Sequence, residues 1–177
     1  MQRIVLNEIS YFGAGCRSMI ADEARRRGYK KAFFVTDADL VRFGVASKIE
    51  EVFRGAGIPY EIFSDVKANP TIANVQHGVA AFKASGADFI VALGGGSVID
   101  SAKAIAMGAA TGRDPWEFAS TGTRPDKTLP VATVLTLAAS GSETSNSCVL
   151  TNEETKEKRG ITSETNRPVI SFLNPEN

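Results

Sequence analysis

The sequence predicts an α/β fold in which helices cover both faces of a parallel sheet. Three observations carry that expectation. Short apolar runs such as KAFFVT (31–36) and FIVAL (89–93) lack the alternation of a half-exposed strand, so both of their faces are buried. Segments of helical length separate them, which is the rhythm of parallel strands joined by crossover helices. Three glycines, Gly94, Gly95 and Gly96, join the second of these strands directly to the helix that follows.

Taken in order, Arg3–Leu6 and Ser10–Phe12 are short strand-like pieces that read as an N-terminal β-hairpin. Cys16–Arg27 reads as a helix ended by Gly28. Lys31–Thr36 is the first buried strand, and Asp39–Gly55 is helical with a break near Gly44. Tyr60–Phe63 is a strand, followed by a loop carrying Asn69-Pro70. Thr71–Ser85 is a helix, because Val75, Val79 and Phe82 share one face at helical spacing. Phe89–Leu93 is a strand, and Ser97–Ala110 is a helix of small residues suited to tight packing on a sheet. After Gly112 the rhythm changes. Trp116–Thr128 is a polar loop with a short helix, Leu129–Leu135 a strand, and 146–173 a set of strand-like pieces around the charged turn NEETKEKR. The last piece, Val169–Leu173, runs into Asn174-Pro175 without a closing helix, which reads as a truncation.

Composition narrows the function. Hydrophobic residues make up 43% and charged residues 23% of 177, a balance that suits one domain. Lys+Arg and Asp+Glu both total 20, so no basic field argues for nucleic acid or an anionic membrane. The opening MQRIVLNEIS lacks the apolar core of a signal peptide, and no apolar run approaches the roughly 20 residues that span a bilayer. A soluble cytoplasmic protein is expected. Cys16 and Cys148 match no metal or redox spacing and read as buried thiols.

Chemistry concentrates at FIVAL-GGGS-VID (89–100). A strand-to-helix turn of a parallel sheet lies at the carboxyl edge, where ligands bind. Glycines admit a phosphate to the backbone, Ser97 adds a hydroxyl, and the helix start supplies unpaired amides and a partial positive charge. The competing reading is a plain capped helix, with Ser97 and Asp100 as an approximate capping box. An earlier Gly13-Ala14-Gly15 lacks the third glycine of a dinucleotide fingerprint and reads as an ordinary turn. Asp37 closes the first buried strand. Its carboxylate suits both hydroxyls of an adenosine ribose and would repel a 2′-phosphate; it equally suits a helix N-cap.

Together these segments resemble the iron-containing (group III) alcohol dehydrogenases. RIVLNEISYFGAG, VTD (35–37), ANPT (68–71), GADFIVALGGGSVIDSAKAIA (86–106) and LTLAASGSETS (135–145) fall in that family's order and spacing. The resemblance covers essentially the whole chain as the family's N-terminal domain. The first half is closer to its lactaldehyde reductase branch, the second to its butanol dehydrogenases. It implies a Rossmann-like, dehydroquinate synthase-like N-terminal domain over 1–177, without the helical metal domain that would follow.

The resemblance also implies roles. Asp37 would hold the adenine-side ribose, and Asn69 would lie along the cofactor. Gly94, Gly95, Gly96 and Ser97 would cradle the diphosphate, and Asp100 would lie near the nicotinamide. Thr136, Leu137, Ser140 and Val149 would contact the cofactor, and Lys158 would bond the nicotinamide-side ribose. For Lys158 a solvated charge is the competing reading. NAD is the implied cofactor, with NADP possible because butanol-type relatives often favour it. A small alcohol or aldehyde and a homodimeric partner are implied for the full-length protein. There, one aspartate and three histidines of the following domain would hold Fe2+ or Zn2+; His77, the only histidine here, reads as helix packing. Two other readings share the glycine cradle: a non-catalytic nucleotide-binding module, and an enzyme of the glycerol dehydrogenase or dehydroquinate synthase type.

Overall fold

The computed structural model describes residues 5–176. Strand β1 (Ile9–Phe12) leads through a 3-10 turn at Cys16–Met19 into α1 (Ile20–Arg26). Then come β2 (Ala32–Val35), α2 (Ala38–Arg42), α3 (Val45–Ala56), β3 (Tyr60–Phe63) and α4 (Ile72–Ser85). Strand β4 (Phe89–Gly94) precedes α5 (Gly96–Thr111) and α6 (Pro115–Thr121). The chain continues through β5 (Val131–Leu135), β6 (Ser147–Asn152), β7 (Glu157–Thr162) and β8 (Ile170–Leu173).

Six strands form one sheet in the order β1-β8-β5-β4-β2-β3, and every neighbouring pair is parallel. The central strands β2, β4 and β5 are buried along their whole length, as their unbroken apolar runs require. Alternate residues divide between two cores. Phe33, Val35, Ile90 and Ala92 pack with α4, α5, α6 and the β6–β7 hairpin. Phe34, Val91, Leu93 and Val134 face the other way, against α1 and α3.

The predicted break near Gly44 separates α2 from α3, and Gly44 is the left-handed cap between them. Helix α5 is buried on all sides from Val98 to Gly108, apart from the half-buried Asp100, which explains its small, apolar composition. It crosses α4 at two glycines. A Cβ on Gly78 would lie 2.3 Å from Ile105 Cδ1, and one on Gly108 would lie 2.8 Å from Val79 Cγ2.

At the amino terminus the structure differs from the expected hairpin. Ile9–Phe12 is a strand, but it pairs in parallel with β8. Of its predicted partner Arg3–Leu6, residues 3 and 4 lie outside the described residues, and Val5 and Leu6 are not in a strand. The antiparallel hairpin that is present is β6–β7, late in the chain. The segment 9–12 alternates in burial, so its sequence pattern fits either pairing. Paired with β8, Ile9 and Tyr11 pack into the core that holds Ile170 and Phe172. Among the described residues no helix is long and apolar enough to cross a membrane.

The α4–α5 crossing yields a test. Gly78→Val places a branched side chain against Ile105 and Phe63, and urea unfolding should register a loss of roughly 1–3 kcal/mol. A variant as stable as the parent would mean that the helices do not approach this closely.

Candidate functional site

From β2 the chain crosses outward to β3, then returns past β2 to form β4 on its other side. The connections leaving the carboxyl ends of β2 and β4 therefore diverge, and a crevice opens between them. Its volume is about 690 Å3, and its walls are Asp37–Leu40 after β2, Val66–Ala68 after β3, Gly95–Val98 at the start of α5, and Thr136 and Leu137 after β5.

The three glycines divide their work. A Cβ on Gly94 would sit 2.7 Å from Val98 Cβ, which is tied to the backbone and cannot yield. One on Gly96 would lie 2.5 Å from Ser140 Oγ and 3.0 Å from Ser140 Cβ, so Gly96 lets the loop after β5 close onto the helix. Both positions are demanded by packing inside the protein. Gly95 is not: a Cβ there would meet only Leu137 Cβ, at an ordinary 3.8 Å. What its missing side chain leaves open is space in the crevice.

The capping box of Ser97 and Asp100, the competing reading of this motif, does not form. Gly95 is the N-cap of α5 and supplies no side-chain acceptor. Asp100 turns away along the helix, where it accepts from Ser142 Oγ at 2.6 Å and from the Val149 amide at 3.1 Å. A sixteen-residue helix thus starts at the crevice with no side-chain cap, a terminus suited to an anion. Asp37 does serve as a cap: its Oδ1 accepts from the Leu40 amide at 2.9 Å. A carboxylate has further acceptor positions, so the cap leaves Asp37 able to bond a ligand as well.

The remaining expected residues gather in two groups. Lys158 on β7 reaches 3.2 Å to Oδ1 of Asn69, so these two meet although far apart in sequence. Asn69 itself holds a left-handed backbone, and the Thr151 amide of β6 donates to the Pro70 carbonyl beside it. Ser140 lies over Gly96, while Val149 is tied by its amide to Asp100.

Sequence reasoning missed Lys103, Ser142 and Lys67. Lys103 is 1% exposed, and its Nζ donates to the carbonyls of Ser142 (2.7 Å), Ser145 (2.9 Å) and Ser147 (2.8 Å) and to Ser142 Oγ (3.0 Å). A lysine amid the small residues of a packed helix was the available signal, since it has no route to water. Burial lowers its pKa to about 8 against the opposing charge of Asp100. Asp100 is raised, by burial first, with the Ser142 hydrogen bond and the Lys103 charge opposing. Lys67 lines the crevice from the loop after β3, where only the sheet order brings it near Asp37.

His77 is exposed on α4, 3.6 Å from Asp65 Oδ2 and edge-on to Phe63. Among the described residues no three of His, Cys, Asp or Glu are grouped to hold a metal ion.

An open parallel sheet with an anion-ready helix terminus at its switch point is the architecture of a dinucleotide-binding domain. The family model "Iron-containing alcohol dehydrogenase" matches residues 7–175, and the chain belongs to that family. It is 36% identical to lactaldehyde reductase of Escherichia coli over 180 residues, covering 98% of this chain and 46% of the relative. NADH-dependent butanol dehydrogenase A of Thermotoga maritima superposes with a TM-score of 0.92 at 33% identity, over 98% of this chain and 44% of that one. Sulfoacetaldehyde reductase of Bifidobacterium kashiwanohense, solved with NAD+, gives 0.92 at 28%, over 99% and 46%. The chain spans less than half the length of these relatives.

The buried amine predicts a pH dependence of stability. Below about pH 8 both folded and unfolded states carry the Lys103 proton, and the whole cost of burying the ammonium weighs on the fold. Between about 8 and the ordinary 10.5 the folded state releases the proton first, so the stability at this position rises with pH, by at most about 1.4 kcal/mol per unit. The Cys148 thiol, pushed up to about 12 by burial, adds the opposite slope above its ordinary 9.0. From about pH 7 to 9, the urea midpoint should therefore rise in the parent relative to Lys103→Met. A constant difference would mean that the amine does not titrate there.

Proposed function

We propose that residues 1–177 bind NAD(H) in the crevice beyond β2, β4 and β5, as the cofactor domain of an oxidoreductase that moves hydride between a primary alcohol and its aldehyde. One observation carries this reading: Gly95 has no neighbour that forbids a side chain, yet its bareness keeps the mouth of an uncapped helix open. A diphosphate fits that opening, since it needs close backbone approach and unpaired amides together. Support for the cofactor comes from the relative solved with NAD+, and for a small alcohol or aldehyde from the relatives' names.

Bound nicotinamide supplies the hydride acceptor or donor. The chain's own residues do the holding. The Gly95 and Gly96 amides and the Ser97 hydroxyl receive the diphosphate, with Gly94 shaping the turn below them. Asp37 keeps its cap to Leu40 and takes the adenine-side ribose with its remaining acceptor capacity. Asn69 runs beside the cofactor, and Lys158 exchanges Asn69 for the nicotinamide-side ribose. Thr136, Leu137, Ser140 and Val149 contact the cofactor, and Asp100 lies toward its nicotinamide end. In this reading a metal that polarises alcohol is held outside residues 1–177, which by themselves bind cofactor without turning over alcohol; a homodimer belongs to the same reading.

Titrating NADH into the purified chain should enhance or shift its fluorescence with saturation below about 1 mM, with no alcohol oxidation. The absence of any signal to that concentration would sink the proposal. Asp37 supplies a second test, because glycine at an N-cap costs the helix only a few tenths of a kcal/mol. Asp37→Gly should narrow the preference for NADH over NADPH by about tenfold or more, as the carboxylate's repulsion of a 2′-phosphate is removed. An unchanged ratio would leave Asp37 as a cap alone.

A further inference from the structure

Asp100 and Lys103 stand one turn apart on α5 and both grip the connection from β5 to β6. Asp100 accepts from the Ser142 hydroxyl and the Val149 amide. Lys103 donates to three carbonyls and one hydroxyl between Ser142 and Ser147. Ser142 is the shared element: its hydroxyl donates to Asp100 and accepts from Lys103, and its amide donates to Ser140 Oγ at 3.3 Å. Ser140 in turn is the residue that lies against Gly96, at the mouth of the crevice. A set of hydrogen bonds therefore runs from the buried middle of α5 through Ser142 to Ser140, whose side chain packs against Gly96 at the helix's own amino terminus.

We propose that Lys103 is a positioning residue for the cofactor: its buried ammonium pins residues 142–147 and so holds Ser140 over Gly96 at the diphosphate cradle. The inference rests on the cofactor reading above. The chemistry favours the charged form in this role. Four oxygens face Nζ, and an ammonium offers three protons to them, whereas a neutral amine offers two and turns a lone pair toward an acceptor. Each carbonyl left unpaired in so dry a place is costly, so the loop shifts to find water instead. Fold stability and loop order thus respond oppositely to deprotonation: the burial cost is relieved while the loop loses its anchor. The charged and titratable groups that face the amine are Asp100 on the same helix, Cys148 on β6, Glu143 in the loop and Arg167 before β8. All four persist in a Lys103 variant, so a pH effect that remains there belongs to them.

The test uses the 177-residue chain, its Lys103→Met and Ser142→Ala variants, NADH titration and amide hydrogen exchange. Lys103→Met should weaken NADH binding about tenfold, and Ser142→Ala by a smaller factor, with exchange faster in 141–147 while the amides of β4 keep their protection. The affinity of the parent for NADH should fall as pH rises through about 8, and that fall should be absent in Lys103→Met. Equal affinities and equal pH profiles in parent and variants would overturn the proposal. If Lys103→Met fails to fold, Ser142→Ala decides, and unchanged loop exchange in it counts against the network. A parent chain that binds no NADH would refute the cofactor reading itself; unaltered exchange at 141–147 in the variants would then separately refute the pinning role.

Discussion

Everything near the crevice depends on how closely α5 is approached by its surroundings. The sheet meets it at Gly94, the loop after β5 meets it at Gly96, and α4 meets it at Gly78 and Gly108. A helix so enclosed contributes the largest share of one core, since it is buried on every side from Val98 to Gly108 but for Asp100. The same enclosure fixes where its free end points. A helix terminus on a surface wanders and is solvated; this one is aimed by packing along its whole length, so its amides form a fixed element of the cleft.

Polar groups were admitted to that dry region on strict terms. Asp100 and Lys103 are the only ionisable side chains on α5, and each spends its hydrogen-bonding capacity on the loop that covers the helix. Apolar side chains would serve cohesion equally well, as buried ionic groups seldom improve stability over well-packed hydrophobic ones. What they supply is definition: a loop of serines and threonines with little apolar surface acquires one conformation because specific donors and acceptors await it. Across β5 and β8 the same holds: Thr133 Oγ1 of β5 donates to Ser171 Oγ of β8, which donates to the Glu143 carbonyl of the loop.

The sheet was legible in the sequence because buried parallel strands leave continuous apolar runs, and KAFFVT and FIVAL are unambiguous. The breaks at Gly28 and Gly44 were equally plain, since both glycines adopt left-handed backbones that other residues avoid. The partner of Ile9–Phe12 was not legible, because an alternating strand fits any neighbour with one apolar face and β8 lies more than 150 residues away. Within the site, the glycine turn could be read as a ligand cradle, but its three members could not be told apart. Distinguishing Gly95 from Gly94 and Gly96 required the positions of Val98 and Ser140. The meeting of Asn69 with Lys158 is a product of hairpin docking and has no local signature.

Cys148 illustrates what such docking implies for reactivity. Its sulfur lies beneath β6, fully enclosed, with the thiolate strongly disfavoured. An alkylating reagent reaches it only when the β6–β7 ribbon lifts from α5, whereas Cys16, part-buried near the first turn, lies under no such ribbon. The two thiols therefore keep separate clocks, and the slower one counts excursions of the ribbon that carries Lys158.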